Sequence, residues 1–150
     1  MNVLISQALI SLGVMKNTNN IPIEWETIFG EVVAKANHYI AVNNGKGGRL
    51  TKDRKIRAYE ASFCRQCSIY KDRQINDDFT LYLRVYYRNM AHDLDNSIKT
   101  ILDCLQMCGA IVDDNKCITI EATKCKDIYQ PRVMFAIQPQ QSNLFNNLNQ

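Results

Sequence analysis

Two aspartates stand two residues apart in the segment His92-Asp-Leu-Asp-Asn96, where a predicted strand passes into a predicted helix. The dipole and the unpaired N–H groups of a helix N-terminus favour ionised carboxylates, which a hard cation such as Mg²⁺ requires as ligands. Lys99 lies one helical turn after Asp95, where its ammonium can neutralise a phosphate or a departing oxygen. The pattern therefore favours a metal site that acts on phosphate groups.

A further pair of carboxylates, Asp113 and Asp114, follows the predicted helix. We expect the chain to return there and to place Asp114 beside Asp93 and Asp95. Three carboxylates with few other ligands suit Mg²⁺ acting on phosphates. The plainer alternative is that Asp93 only caps the helix and that Asp95 pairs with Lys99 on the surface.

The elements that must position these residues are predicted from the hydrophobic pattern. Phe79 to Arg88 alternates apolar and more polar residues and predicts a strand, and the apolar stripe after Asp93 predicts a helix that ends at Gly109. Thr51 is the expected N-cap of another helix of about 18 residues. Further strands are predicted over 24–33, 117–123 and 132–137. This order of elements predicts an α+β fold with a small mixed β-sheet and two main helices.

The chain is expected to divide into three parts. Residues 1–22 predict an extra N-terminal helix, amphipathic over 3–15, and a linker. Residues 23–138 form the main domain of a 150-residue chain that is 46% hydrophobic, enough to fill one core. Residues 139–150 are rich in Gln and Asn, carry no charge and predict a loose tail.

Positive charge is concentrated in residues 43–73. This segment has nine basic and three acidic residues, a net charge of +6, whereas the whole chain carries +3. A charge run is often only a solvated helix face. Here it begins in a glycine-rich stretch over 45–49 that can follow a phosphate backbone, so nucleic acid is an expected partner. Tyr39, Tyr86 and Tyr87 are candidates for stacking on bases, although strand tyrosines more often pack within the protein.

The six cysteines allow two interpretations. Cys64 and Cys67 could supply two of the four ligands of a zinc site, and Cys104 and Cys108 could supply the other two. Both pairs fall in predicted helices, where this spacing is typical of small core residues, so we expect reduced cysteines that bind no zinc. The chain has no apolar run of about 18 residues and no basic residue before Lys16, so we expect an intracellular protein without a membrane span or signal peptide.

The region after the predicted central strand resembles the RusA-type Holliday junction resolvases, which are small endonucleases of phages and bacteria. It has the family's DLDN sequence, lysine, further aspartate, glycine and double aspartate at the family's spacing. These residues are Asp93, Asp95, Lys99, Asp103, Gly109, Asp113 and Asp114. Upstream, Lys35-Ala-Asn37-His-Tyr39 is similar to the family's K-x-N-x-Y segment, and the resemblance extends over roughly residues 24–137.

The resemblance implies a compact α+β homodimer, whose two-fold axis suits a four-way DNA junction with two symmetric cuts. It implies that Asp93, Asp95 and Asp114 bind Mg²⁺, with Mn²⁺ as the alternative, that Lys99 assists cleavage, and that Asp113 is less critical. The expected products carry 5′-phosphates, and the expected role is recombination and repair of branched DNA in a bacterial or phage-infected cytoplasm. The residues expected to contact DNA are Lys35, Asn37, Lys46, Arg49, Lys52, Arg54, Arg57 and Arg88.

The chain departs from the family at His92, where a basic residue or proline is common.

The residues alone leave two other functions open. A non-catalytic binder of branched nucleic acid with the same fold is disfavoured by the intact set of acids, because negative charge near phosphate weakens binding unless a metal is present. A metal-dependent phosphatase or nucleotidyl enzyme acting on small molecules would need a glycine-rich phosphate cradle, and Gly45 to Gly48 is a poor one.

Overall fold

The computed structural model describes residues 22–35, 39–43, 45 and 47–140. Within them the fold is α+β with a mixed sheet and two main helices, which confirms that part of the prediction. The elements in chain order are β1 (Glu26–Phe29), β2 (Tyr39–Asn43), β3 (Gly48–Lys52), α1 (Arg54–Gln66), β4 (Phe79–Tyr87), α2 (Leu94–Met107), a short 3₁₀ helix (Asp114–Lys116), β5 (Cys117–Lys126) and β6 (Arg132–Pro139). The helix predicted over 3–15 and the tail after residue 140 lie outside the described residues.

Four strands form one sheet in the order β1-β6-β4-β5, and β2 and β3 form a separate two-stranded sheet. β4 pairs antiparallel with β6 and parallel with β5, in a register that runs from Phe79 opposite Cys117 to Tyr87 opposite Lys126. A parallel pair needs a crossover connection, and α2 provides it. β5 is the last strand in this order and so lies at an edge of the sheet. α2 returns the chain along the length of β4 before β5 begins.

The core lies between this sheet and the two helices. Alternate residues of β4 from Phe79 to Tyr87 are at most 1% exposed, as the two-residue period of a strand requires. The helices contribute fully buried side chains such as Phe63 of α1 and Leu105 of α2. The rings of Phe63 and Phe135 stack with their centroids 5.8 Å apart. No helix in the described part of the chain is long and apolar enough to cross a membrane.

Helix α1 begins later than the sequence pattern predicts. Thr51 lies in β3 instead of capping the helix, because it pairs with Ile40 in the β2–β3 hairpin. Asp53 takes the N-cap position, where its Oδ1 accepts the N–H of Ile56 at 2.9 Å. Both residue types are good N-caps, so the local signal alone does not distinguish them. β1 is likewise shorter than the predicted range 24–33, since only four of its residues pair with β6.

A buried carboxylate fixes β1 to the chain that follows α1. Glu26 is 3% exposed, and its oxygens accept the N–H groups of Ser68, Ile69 and Tyr70 at 2.7–3.0 Å and the Ser68 hydroxyl at 2.9 Å. Burial raises the pKa of Glu26, but hydrogen bonds to the charged form together outweigh burial, so the pKa lies below its ordinary value of 4.5. The ionised side chain therefore stabilises the fold.

We expect Glu26→Gln to lower the free energy of unfolding by about 2–3 kcal/mol at pH 7, because an amide NH₂ replaces an acceptor and leaves buried N–H groups unsatisfied. A carboxyl whose folded-state pKa is depressed stabilises the fold above its unfolded pKa, and this contribution disappears as the pH falls through the folded value. The difference between variant and wild type should therefore narrow below pH 4.5. Urea unfolding followed by circular dichroism at several pH values measures this difference.

Glu24→Gln is the matched control for this measurement. The Glu24 side chain is 55% exposed and pairs with Arg73 at 2.9 Å, so its loss should change stability by less than about 1 kcal/mol. Equal losses in the two variants would contradict the role given to Glu26, as would a difference that does not change with pH.

Candidate active site

Asp93 and Asp95 lie at the start of α2, where both are exposed. Asp93 occupies the N-cap position with an extended backbone, yet its side chain makes no capping hydrogen bond. Asp95 follows in the first turn of the helix. The interpretation of Asp93 as a side-chain cap is therefore not supported, and two carboxylates at a helix N-terminus are available to a cation.

Lys99 is exposed one turn further along the same helix. The alternative in which it pairs on the surface does not occur, because no ion pair within 4.0 Å joins Lys99 to Asp95 or Asp103 among the residues described. Asp103 pairs instead with the ammonium of Lys35, which also lies 3.3 Å from Glu60. The ammonium of Lys99 is therefore free to meet a ligand near Asp95.

The turn between β4 and α2 is held by a buried tyrosine. Tyr87 is fully buried, and its hydroxyl donates to the Ser97 hydroxyl at 2.6 Å, which in turn donates to the carbonyl oxygen of Asp93 at 3.2 Å. The His92 ring stacks on the Tyr87 ring with a centroid distance of 5.1 Å. Tyr87 is therefore a packing residue that supports the position of Asp93, and it is not exposed to stack on bases.

Glu31, which no sequence motif singles out, lies close to this turn. Its carboxylate accepts the backbone N–H of Arg88 at 3.0 Å and lies 3.5 Å from Nε of Arg88 and from Nε2 of His92. Burial raises the pKa of Tyr87, and the negative charges of Asp93, Asp95 and Glu31 raise it further, although the hydrogen bond to Ser97 lowers it. These three carboxylates thus share one end of the sheet. Glu31 has no distinctive local motif, so only the fold places it there.

Asp114 lies at the opposite end of the sheet in the same chain, so the expectation that it would join Asp93 and Asp95 was wrong. It begins the 3₁₀ helix just before β5, whose first residue, Cys117, pairs with Phe79 at the start of β4. The nine residues of β4 span about 30 Å. The described residues contain no group of three or more His, Cys, Asp or Glu side chains suited to a metal ion. Within the described residues, one chain therefore brings Asp93 and Asp95 together without Asp114.

Lys35, one of the residues expected to contact DNA, is buried and forms ion pairs within the chain. It is 8% exposed, and ion pairs join it to Asp103 of α2 and Glu60 of α1. Burial lowers the pKa of Lys35, but its two carboxylate partners raise it by more. Glu60 also accepts from Lys52 of β3 at 2.7 Å. This network of ion pairs connects the β2–β3 hairpin to the helix that carries Asp95.

The other expected DNA contacts differ in what the structure describes of them. Arg54, Arg57 and Arg88 are exposed, Lys52 is about one-third exposed, and Arg57 donates to the Thr51 hydroxyl at 2.7 Å. Asn37, Lys46 and the side chain of Arg49 lie outside the described residues. We refer to Lys52, Arg54, Lys55 and Arg57 as the basic surface.

Four of the six cysteines, Cys64, Cys67, Cys104 and Cys108, belong to the two helices or cap their C-terminal ends. Cys67, Cys104 and Cys108 are buried, and the sulfurs of Cys67 and Cys108 lie 3.7 Å apart without a disulfide. This placement agrees with their predicted role as small core residues. The prediction that they bind no zinc remains to be tested.

A family model, described as endodeoxyribonuclease RusA, matches residues 30–138. A search of the curated proteins found no match to the chain. The matched segment contains Asp93, Asp95, Lys99 and Asp114 and every described element after β1 except the last residue of β6. Because the match covers more than half of the sequence and agrees with the motif from Asp93 to Asp114, the chain belongs to the RusA endodeoxyribonuclease family.

Proposed function

We propose that this protein is a homodimeric, divalent-metal-dependent endonuclease that cuts Holliday junctions or related branched DNA and leaves 5′-phosphate ends. The observation that carries the proposal is the exposed pair Asp93 and Asp95 at the start of α2. One turn away is the ammonium of Lys99, which forms no ion pair within the described part of the chain. Membership of a DNA endonuclease family supports it.

The chemistry of the ligands fits Mg²⁺, or Mn²⁺ as the alternative. Mg²⁺ is usually bound by one or two protein carboxylates together with substrate phosphates and water, and Asp93 and Asp95 supply two carboxylates. A cation bound there would supply Lewis-acid stabilisation of the charge that develops on a phosphodiester under attack by water. The same oxygen ligands suit Mn²⁺.

A second copy of the chain would complete this ligand set. In the sheet formed by the described residues, β5 is an edge strand with no partner on its outer side, and it exposes Ile118 and Ile120 by 52% and 38%. Antiparallel pairing of two β5 strands about a two-fold axis would bring the start of one β5 to the end of the other. Asp114 of the partner subunit would then approach Asp93 and Asp95 of the first, which explains why one chain holds these acids at opposite ends.

The remaining polar residues have separate roles in this proposal. The ammonium of Lys99 neutralises negative charge on the phosphate as cleavage proceeds. The basic surface and Arg88 bind backbone phosphates without reading bases, which is consistent with recognition of a DNA shape. Two symmetric active sites in a dimer cut two strands of a symmetric junction.

The test compares cleavage of a four-way junction and of a linear duplex with the same sequence, with and without Mg²⁺. We expect metal-dependent cleavage of the junction, and we expect Asp95→Asn to lower the rate by about 100-fold or more while junction binding persists. Asp113→Asn is the matched control. The Asp113 oxygen that accepts the N–H of Asn115 is retained by asparagine, so activity should be close to that of wild type.

Salt dependence provides the second part of the test. We expect Arg54→Ala and Arg57→Ala each to reduce the slope of log affinity against log salt concentration by about one, because each removes one phosphate contact. Junction binding without cleavage in any divalent metal would favour the non-catalytic alternative. Wild-type cleavage by Asp95→Asn would refute the site.

A further inference from the structure

The connection from β5 to β6 exposes an aromatic side chain that the proposed cleavage chemistry does not use. Because β4 lies between β5 and β6, this connection, residues 127–131, crosses the end of β4. Tyr129 at its centre is 91% exposed, more than any other large hydrophobic residue described. A single exposed apolar side chain is common in folded proteins, so exposure alone does not indicate a function.

The turn that carries Tyr129 is held on both sides by hydrogen bonds. The Asp127 carboxylate accepts the N–H groups of Tyr129 and Gln130 at 3.1 and 3.0 Å and the Arg132 guanidinium at 2.7 Å. The N–H of Asp127 donates to the carbonyl of Tyr87 at 2.8 Å, which fixes the turn to the end of β4. Tyr129 thus projects into solvent from an ordered turn. Because the turn is already ordered, binding of a ligand to Tyr129 costs little additional conformational entropy of the chain.

This turn lies at the end of the sheet that carries the candidate active site. The chain that leaves β4 after Tyr87 leads directly to Asp93, and Lys124 of β5 donates to the carbonyl of Met90 in that segment at 2.8 Å. Basic residues lie near the ends of the three strands that meet at this turn. They are Arg88, Lys124, Lys126 and Arg132. An exposed aromatic ring therefore lies at the same end of the sheet as the candidate active site.

We propose that Tyr129 stacks on an unstacked nucleobase at the branch point of the DNA that this site cleaves, and so contributes to the selection of branched over linear DNA. The inference rests on the proposed function. Stacking on an aromatic ring requires an exposed base face and tolerates any base, so it discriminates structure without reading sequence. A linear duplex exposes no base face except at its ends.

The experiment uses the full chain with Asp95→Asn, so that bound DNA stays intact, and a four-way junction with 2-aminopurine at the branch point. We expect Tyr129→Ala to lower junction affinity by about 10- to 100-fold, the range expected for one stacked base. It should also reduce the change in 2-aminopurine fluorescence on binding and leave affinity for a linear duplex unchanged. Tyr129→Phe should preserve all three properties, because it retains the ring.

Phe29→Ala is the matched control, since Phe29 is an aromatic residue that is 53% exposed on β1, at the other edge of the sheet from β5. It should change neither affinity nor fluorescence. Unchanged junction affinity and fluorescence in Tyr129→Ala would overturn the inference, as would an equal loss on linear DNA. Dissociation of the dimer by Tyr129→Ala in sedimentation would assign the ring to the interface and also overturn it. Failure of the Asp95→Asn parent to bind any junction would instead refute the proposed function.

Discussion

A heterodimer of one Asp95→Asn chain and one Asp114→Asn chain should cut branched DNA, although neither homodimer does. If each site takes Asp95 from one subunit and Asp114 from the other, both substitutions in this heterodimer fall in the same site. The second site then retains all of its aspartates. Co-expression of the two chains with different affinity tags yields the pure heterodimer for the measurement.

The products of this heterodimer distinguish a single intact site from partial activity of both. We expect about half of the wild-type rate of strand cutting, because one of two sites remains. A cruciform in a supercoiled plasmid should be converted to the nicked circle and not to the linear form, since one site cuts one strand. Each homodimer should cut at less than about one-hundredth of the wild-type rate, because loss of a ligand removes the charge stabilisation supplied by the metal.

The heterodimer of Asp93→Asn and Asp95→Asn chains provides the control. Both residues lie at the start of α2 in one chain, so each of its sites lacks one ligand and no activity should appear. Inactivity of the Asp95→Asn and Asp114→Asn heterodimer would show that Asp114 does not act across the dimer. Glu31, whose charge already acts on Tyr87 together with those of Asp93 and Asp95, would then be the candidate third ligand.

The sequence predicts the local parts of this site well and its assembly poorly. β4, α2 and the aspartate pair between them follow from hydrophobic period and position, which depend on neighbouring residues. The location of Asp114 depends on a crossover connection, and α2 carries the chain to the opposite end of the sheet. A motif places acids along the chain but does not show which end of a sheet each one occupies.

Individual side chains show the same limit. Lys35 belongs to a segment similar to a family motif, yet its burial depends on Glu60 and Asp103, which come from two other elements. Tyr87 and Tyr129 show that the place of a tyrosine in the fold decides its exposure. Tyr87 faces the core with the alternate residues of β4, whereas Tyr129 projects from a turn fixed by Asp127. The burial of Lys35 thus depends on partners that are distant in sequence, and the turn of Tyr129 is fixed to the end of β4 by the bond from Asp127 to Tyr87.

Lys99→Ala should lower the rate of junction cleavage by about 10²–10³-fold while junction affinity changes little. Lys99 is exposed, and the carboxylate one turn further along, Asp103, is already paired with Lys35. An ammonium that stabilises charge developing only during cleavage acts on the transition state, so its loss appears in the rate and not in binding. If Lys99 only formed an exposed ion pair on the helix, its loss would lower stability by about 0.3–0.5 kcal/mol. The cleavage rate would then hardly change.

The measurement is single-turnover cleavage with protein and Mg²⁺ in excess, which separates the chemical step from binding. Arg57→Ala is the control with the opposite pattern. Arg57 belongs to the basic surface, so its loss should weaken binding and leave the saturated rate unchanged. Lys99→Arg should retain partial activity, because it keeps the charge but replaces a compact ammonium with a planar guanidinium. Cleavage by Lys99→Ala at the wild-type rate would exclude a catalytic role for this lysine and leave Asp93 and Asp95 as the functional residues of α2's first turn.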